Sequence, residues 1–121
     1  MKKVILWKGR EVDLEAAKVH VAPGGSCLFD FEARGDRARE LGDFLWRMRE
    51  EFAFGLSNAS VDGEVFHVGI YLGLADVPEF EAGCASFFSD SGCVKTVIDE
   101  GESRDGYSIR SRDAVLKLLR S

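Results

Sequence analysis

A strict two-residue alternation in SCLFDFEAR, residues 26–34, constrains the fold more than any other part of the sequence. One side of this segment carries only apolar residues, namely Cys27, Phe29, Phe31 and Ala33. The intervening positions include Asp30 and Glu32. Because successive side chains of a strand point to opposite faces of a sheet, the pattern predicts a strand that is buried on one face only.

A change of period after this strand marks the first helix. From Asp36 onward the apolar residues recur every three or four positions, which places them on one face of an α-helix of about four turns. Asp36 is a suitable N-cap and Gly55 a suitable stop. The apolar positions are Ala38, Leu41, Leu45, Met48 and Phe52.

Other apolar segments predict the remaining strands. Residues 3–15 have the pattern of a hairpin whose turn is Lys8-Gly9-Arg10. Residues 64–74 are apolar almost throughout, which predicts a central strand covered on both faces. Shorter strands are predicted at 18–22 and 94–98, and residues 107–110 are a candidate for an additional partner strand.

The fold class follows once the other helices are placed. A second helix is predicted at about 76–89, and Ser111 is predicted to cap a short third helix, while residues 58–63 are predicted to form a polar loop. Together the elements predict an α+β fold, with a mainly antiparallel sheet of about five to six strands. Two longer helices and a short C-terminal helix are expected to pack on one face of it. A chain of 121 residues is expected to form a single domain, 1–121.

Cysteine usage and hydropathy bear on the compartment. Three cysteines without regular spacing are typical of reduced thiols in a cytoplasm. The apolar run Val4–Trp7 is much shorter than an export signal requires, and no segment approaches membrane-spanning length. We therefore expect a cytoplasmic protein with no membrane partner.

No segment has the spacing of a metal or cofactor site. Cys84 and Cys93 are nine positions apart with no histidine near them, a pattern that does not match zinc. The acidic run 99–106 lacks the central glycine and closing glutamate of a calcium loop. Gly69 and Gly73 lie within a predicted strand, where glycine marks close packing rather than a phosphate loop. We therefore expect neither a metal nor a cofactor.

The acidic residues are concentrated in the middle of the sequence. Residues 1–60 hold ten basic and ten acidic side chains, whereas residues 61–105 hold ten acidic side chains against Lys95 and Arg104. Such a charge distribution repels nucleic acid and attracts basic surfaces. We therefore expect no direct nucleic-acid binding, and a protein partner with a basic surface.

Two short strings resemble parts of cysteine hydrolases. GSCLF, residues 25–29, resembles the box around the nucleophile of OTU-type deubiquitinating proteases. HVGIYLG, residues 67–73, is similar to the segment that carries the catalytic histidine of NlpC/P60 peptidases. Together these resemblances imply Cys27 as the nucleophile and His67 as its base. In both families the nucleophile opens a helix, whereas the residues after Cys27 alternate like a strand, so hydrolysis is an alternative rather than the preferred interpretation.

Aromatic and charged residues that the core pattern does not use are the candidates for a partner-binding surface. Trp46 lies about 130° from the centre of the first helix's apolar stripe and has arginines beside it, a composition typical of interface hot spots. The alternative is that Trp46 covers a sheet edge or a loop. The predicted partner-binding residues are Trp46, Arg49, Glu50, Phe54, Asp76, Glu79, Glu81, Asp99, Glu100 and Glu102.

These observations favour a small acidic binding protein with no catalysis of its own. We expect it to dock and inhibit a macromolecular partner, as immunity and anti-defence proteins do when their acidic groups occupy a basic site. The first alternative is a cysteine hydrolase with a Cys27–His67 dyad. The second is a structural subunit of a homo-oligomeric assembly.

Overall fold

A computed structural model describes residues 2–20, 24–90, 93–98 and 103–121, and every structural statement below refers to these ranges. Within them the chain forms seven strands and three α-helices. The strands are β1 (Lys2–Trp7), β2 (Arg10–His20), β3 (Ser26–Arg34), β4 (Phe54–Asp62), β5 (Val65–Gly73), β6 (Cys93–Ile98) and β7 (Ser103–Tyr107). The helices are α1 (Asp36–Met48), α2 (Val77–Asp90) and α3 (Ile109–Arg120), and a 3-10 turn, Leu74–Asp76, precedes α2.

The strands form one antiparallel sheet in the order β1-β2-β7-β4-β5-β3-β6. The long strand β2 has two partners, because its first half pairs with β1 and its residues Ala16–His20 pair with β7. The separate strand predicted from residue 18 is therefore a continuation of β2 as far as His20. The predicted α+β class and antiparallel sheet are confirmed.

Strand β4 was not predicted, and it includes most of the segment 58–63 that was predicted to be a polar loop. Leu56 and Ala59 of β4 are buried, whereas Asn58 between them is exposed. A bulge between Leu56 and Asn58 interrupts the alternation, so the strand pattern is not visible in the sequence. The prediction of five to six strands was low for this reason.

The helices and the inward side of the sheet share one core. Cys27, Phe29, Phe31 and Ala33 of β3 are all buried in it, as the alternation predicts. Phe80 of α2 anchors this core, since its ring centroid lies 5.1 Å from that of Phe29. The same ring lies 5.5 Å from Phe44 of α1 and 5.9 Å from Phe52. Aromatic pairs at these distances stabilise a core beyond the area that they bury.

The ends of two helices differ from the predicted ones. Helix α1 ends at Met48, although Phe52 beyond it is still buried. Its N-cap is Gly35, whose φ of 51° favours glycine, and Asp36 lies in the first turn. Helix α3 begins earlier than predicted, because the hydroxyl of Ser108 caps it by accepting a hydrogen bond from the backbone N–H of Ser111 at 3.1 Å.

Among the described residues, none of the helices has both the length and the apolar character needed to cross a lipid bilayer.

Replacing Gly42 by alanine is expected to lower the free energy of unfolding by about 1–2 kcal/mol net. The added Cβ would overlap the Cβ of Leu119 and lie 2.8 Å from the backbone of Leu119 and Arg120, so α1 and α3 would have to separate. The clash outweighs the roughly 1 kcal/mol that alanine gains over glycine inside a helix. Urea titration measures the difference.

The matched control is Gly83→Ala in α2, where the added Cβ would meet only the ring edge of Phe44, at 3.1 Å. We expect this control to be neutral or stabilising. A Gly42→Ala protein as stable as the parent would contradict the close approach of α1 and α3.

Candidate docking surface

The structure does not bring Cys27 and His67 together. Cys27 pairs with Leu72 across β3 and β5, whereas His67 pairs with Glu32, five residues further along β3. That offset corresponds to about 17 Å along the strand. The two side chains also point to opposite faces, because Cys27 lies in the core and His67 lies opposite the half-buried Glu32. Burial, as the largest cause, raises the pKa of the Cys27 thiol, which disfavours the thiolate that a nucleophile needs.

Trp46 lies at the seam between α1 and α3 and is half-buried against the core. Three cationic groups surround its ring. The Arg49 guanidinium carbon lies 3.5 Å from the ring centroid, that of Arg120 lies 4.8 Å away, and Lys117 Nζ lies 5.6 Å away. Cation–π contacts of this kind keep the ring in place. The role of Trp46 in partner binding stays a prediction, and its surroundings are basic.

Of the other partner-binding candidates predicted near the first helix, Phe54 is buried and Glu50 is exposed. Phe54 is in β4 rather than at the end of a helix and is only 5% exposed, so it is a core residue and the prediction of a surface role is wrong. The Arg112 guanidinium carbon lies 4.9 Å from the centroid of its ring. Glu50 is exposed beside Arg49, with 3.5 Å between their charged atoms.

The acidic residues of segment 61–105 do not form one continuous surface within the described ranges. Asp62 and Glu64 precede β5, whereas Asp76 and Glu79 follow it, so about 30 Å of strand separates the two groups. Glu81 forms an ion pair with Lys95. The predicted residues Asp99, Glu100 and Glu102 lie outside the described residues.

The side of the sheet away from the helices is termed the open face. Its residues alternate with the buried ones along β3 and β5, and several are only partly buried. Asp30 and Glu32 of β3 project there, and His67 of β5 lies directly opposite Glu32. The full set on these two strands is Leu28, Asp30, Glu32, Arg34, Val65, His67, Gly69 and Tyr71.

An acidic stripe lies on β2, in the half of the strand that pairs with β1. Its three exposed members alternate with the buried Val12 and Leu14, so they point away from the core. This stripe borders Arg110 and Ser111 of α3. The acidic stripe consists of Glu11, Asp13 and Glu15.

Exposed apolar residues accompany these acids. Val4 and Leu6 of β1 are 54% and 57% exposed, and they pair with Asp13 and Glu11 respectively. Val94 of β6 is 62% exposed and pairs with Asp30. Exposed apolar side chains bordered by polar ones mark surfaces that another protein can cover.

A hollow lies on the open face beside Gly69, where it is lined by His67 of β5 and by residues of β3 and β4. A Cβ added at Gly69 would collide with Oδ1 of Asn58 and lie 2.7 Å from Oδ1 of Asp30, so these two oxygen atoms converge over the glycine. Ser60 and Glu32 flank His67 on the neighbouring strands. The concavity has a volume of about 390 Å³ and is termed the Gly69 hollow; its polar lining is Asp30, Glu32, Asn58, Ser60 and His67.

Asp30 is the unusual residue of this hollow. None of the described residues donates a hydrogen bond to its carboxylate or pairs with it. Burial raises the pKa of the Asp30 carboxyl above its ordinary value of 3.8, since the charged form loses water without gaining a donor. Within the described ranges no group of three or more ligating side chains has the arrangement of a metal site.

The alternation of acidic and apolar residues along two strands is a sequence signal for these outward carboxylates, and it differs from the mid-chain acidic surface that the charge count predicts. Along β2 and β3 the acids alternate with buried apolar residues, so the period already indicates that they point away from the core. Which strands are neighbours, and hence that Asn58 meets Asp30, depends on long-range pairing that the period does not reveal.

Comparison with known proteins identifies a fold and no family. No family model matches the sequence, and no curated protein matches it. The structure superposes on aminoacylhistidine dipeptidase from Vibrio alginolyticus with a TM-score of 0.52 and 10% sequence identity. The match covers 88% of this chain and 28% of the dipeptidase chain. At this identity the likeness concerns the fold alone.

Replacing Asp30 by asparagine is expected to raise the melting temperature slightly at pH 7. Its folded-state pKa is raised, so the charged carboxylate opposes folding at neutral pH, and this penalty disappears as the pH falls below 3.8 and the carboxyl is protonated in both states. Thermal melts followed by circular dichroism between pH 3 and pH 7 measure the effect.

Asp13→Asn, an exposed carboxylate of the acidic stripe, is the control and should change the melting temperature less. A lower melting temperature for Asp30→Asn at pH 7 would mean that the carboxylate stabilises the native fold.

Proposed function

We propose that the protein is a non-catalytic binding protein that docks on a basic surface of a partner protein through its open face and acidic stripe and inhibits that partner. The observation that supports this proposal is that the Asp30 and Glu32 carboxylates lie together on the open face, while the acidic stripe adds a second group of exposed carboxylates to the proposed docking surface. They are interleaved with exposed apolar residues. Electrostatic complementarity of this kind accelerates association and selects among partners.

The distribution of charge gives the docking a direction. Arg49, Lys117 and Arg120 surround Trp46 on the helices. Arg49 is paired with Glu50 and Arg120 with Asp43, so this region carries mixed charge. A basic partner is therefore attracted more strongly by the carboxylates of the docking surface, and encounters are oriented before contact. The predicted acidic surface is thereby relocated from segment 61–105 to the acidic stripe and the Gly69 hollow.

Inhibition is the outcome that this chemistry favours. Enzymes and complexes that handle nucleic acids or other polyanions present basic clefts, and an acidic protein face can occupy such a cleft in place of the anion. A face that is held rigidly by a sheet loses little conformational entropy on docking. The class of partner proposed is therefore a protein with a basic active or nucleic-acid-binding site.

A homo-oligomeric subunit remains the second candidate, because of β6. This strand is at the end of the sheet order within the described ranges, and its Val94 and Val97 are 62% and 67% exposed. Exposed β-branched residues on an edge strand favour pairing with another strand. Sedimentation of the isolated chain tests this, since a monomer at high concentration would exclude it.

Reversing the charge of the acidic stripe should abolish most of the partner affinity. We expect Glu11→Lys/Asp13→Lys/Glu15→Lys to weaken the complex about tenfold or more at low salt, since three attractions become repulsions. Wild-type protein first captures its partner from a lysate of the source cells, mass spectrometry identifies it, and the purified pair is then measured by calorimetry at several salt concentrations.

The matched control, Glu40→Lys/Asp43→Lys/Glu51→Lys, changes the net charge by the same amount at exposed positions of α1 and the segment after it. It should leave the affinity within about threefold of wild type, because a remote charge acts only through a screened field. Equal losses in the two triple variants, or an affinity that does not depend on salt, would contradict docking through the open face and acidic stripe.

A further inference from the structure

The Gly69 hollow has the chemistry of a receptor for one cationic side chain. Asp30 and Asn58 converge on it from the strands on either side of β5, and each directs an Oδ1 atom toward the space over Gly69. Both oxygens are hydrogen-bond acceptors, and a cationic donor placed between them can bond to both at once.

The missing side chain of Gly69 makes this arrangement possible. Gly69 has no positive φ, so its backbone does not require glycine. What requires glycine is space, because any Cβ would occupy the position between the oxygens of Asn58 and Asp30. The absence of a Cβ at Gly69 therefore lets the side-chain oxygens of Asn58 and Asp30 close over β5, where both line the neighbouring concavity.

The polar residues that line the hollow favour a guanidinium over an ammonium group. Beside the two converging oxygens lie the Glu32 carboxylate and the Ser60 hydroxyl, and His67 lies between them on β5. Glu32 already has a cation, Arg34, at 3.5 Å, so Asp30 is the carboxylate that still lacks one among the described residues. A planar guanidinium presents five donors in a fixed fork and suits several acceptors spread over two rows of a sheet better than a compact ammonium does.

We propose that the Gly69 hollow binds an arginine side chain of the partner protein, held by Asp30 and Asn58, as the central contact of the docked complex. This inference rests on the proposed function, and it names the element of the partner that the open face recognises. Val94, which pairs with Asp30, then lies at the periphery of this contact. Arginines are enriched among the interface residues that carry a large share of the affinity.

The experiment uses the intact protein labelled with nitrogen-15 and three small probes: the Nα-acetyl methylamides of arginine, lysine and citrulline. Citrulline keeps the shape of arginine and lacks its charge. We expect saturable shifts of the backbone amides of Gly69 and Asn58 with arginine, at a dissociation constant on the order of millimolar for a single side chain. Lysine should bind about threefold or more weaker, and citrulline should not saturate.

Two variants locate the binding. Asp30→Asn removes the charge without adding volume, and we expect about tenfold weaker arginine binding, the loss typical of one charge-assisted hydrogen bond. Gly69→Ala should weaken arginine binding strongly, because its Cβ would displace the side-chain oxygens of Asn58 and Asp30, and its fold is checked by its spectrum. Glu51→Gln removes an exposed carboxylate outside the docking surface, and this variant should bind arginine as the parent does.

The outcomes separate this inference from the proposed function. Equal shifts with citrulline, shifts confined to the acidic stripe, or unchanged binding in Asp30→Asn would each overturn the arginine site, whatever the partner experiment gives. Arginine binding that depends on Asp30, together with a partner complex that Asp30→Asn leaves unaffected, would overturn the role of the hollow in docking. Loss of both interactions in Asp30→Asn supports the inference.

Discussion

The packing of three helices against one face of the sheet is the constraint on which the other features depend. Phe80 of α2 brings its ring against Phe29 of the sheet and Phe44 of α1, and this aromatic core holds the helical layer in place. Once that face is filled by apolar side chains, the polar positions that alternate with them must lie on the opposite face. The open face and its carboxylates are therefore a consequence of how the core is built.

The same layering explains why the sequence predicts the C-terminal end of α1 less well than it predicts β3. The apolar stripe of α1 continues past Met48 to Phe52, so the period alone extends the helix although the chain has already turned. Phe54 was consequently expected on a helix surface, whereas it is buried in β4. Trp46, which lies outside the stripe, is partly covered by α3, a segment more than sixty residues later that no local pattern can place.

In the Gly69 hollow, the sheet brings together residues that have no evident role when each is considered alone. Asp30, Asn58 and Gly69 lie on three different strands, and each alone has an ordinary explanation: an outward carboxylate, a polar loop residue and a packing glycine. Their significance arises from the register that sets Asn58 and Asp30 on either side of Gly69. Burial without a hydrogen-bond donor then raises the pKa of the Asp30 carboxyl. The ability of this surface to attract a cation therefore depends on the folded sheet and not on any one segment of the sequence.

The sequence by itself determined the fold class, the buried face of β3, the central strand β5 and the existence of all three helices, because hydrophobic period reflects local geometry and one-sided burial. It also determined that Cys27 leads into a strand rather than a helix. Only the tertiary structure decided that β4 is a strand, that Cys27 and His67 lie on opposite faces, and which acids share a surface. Those outcomes depend on strand order and register, which are set by contacts between residues far apart in the chain.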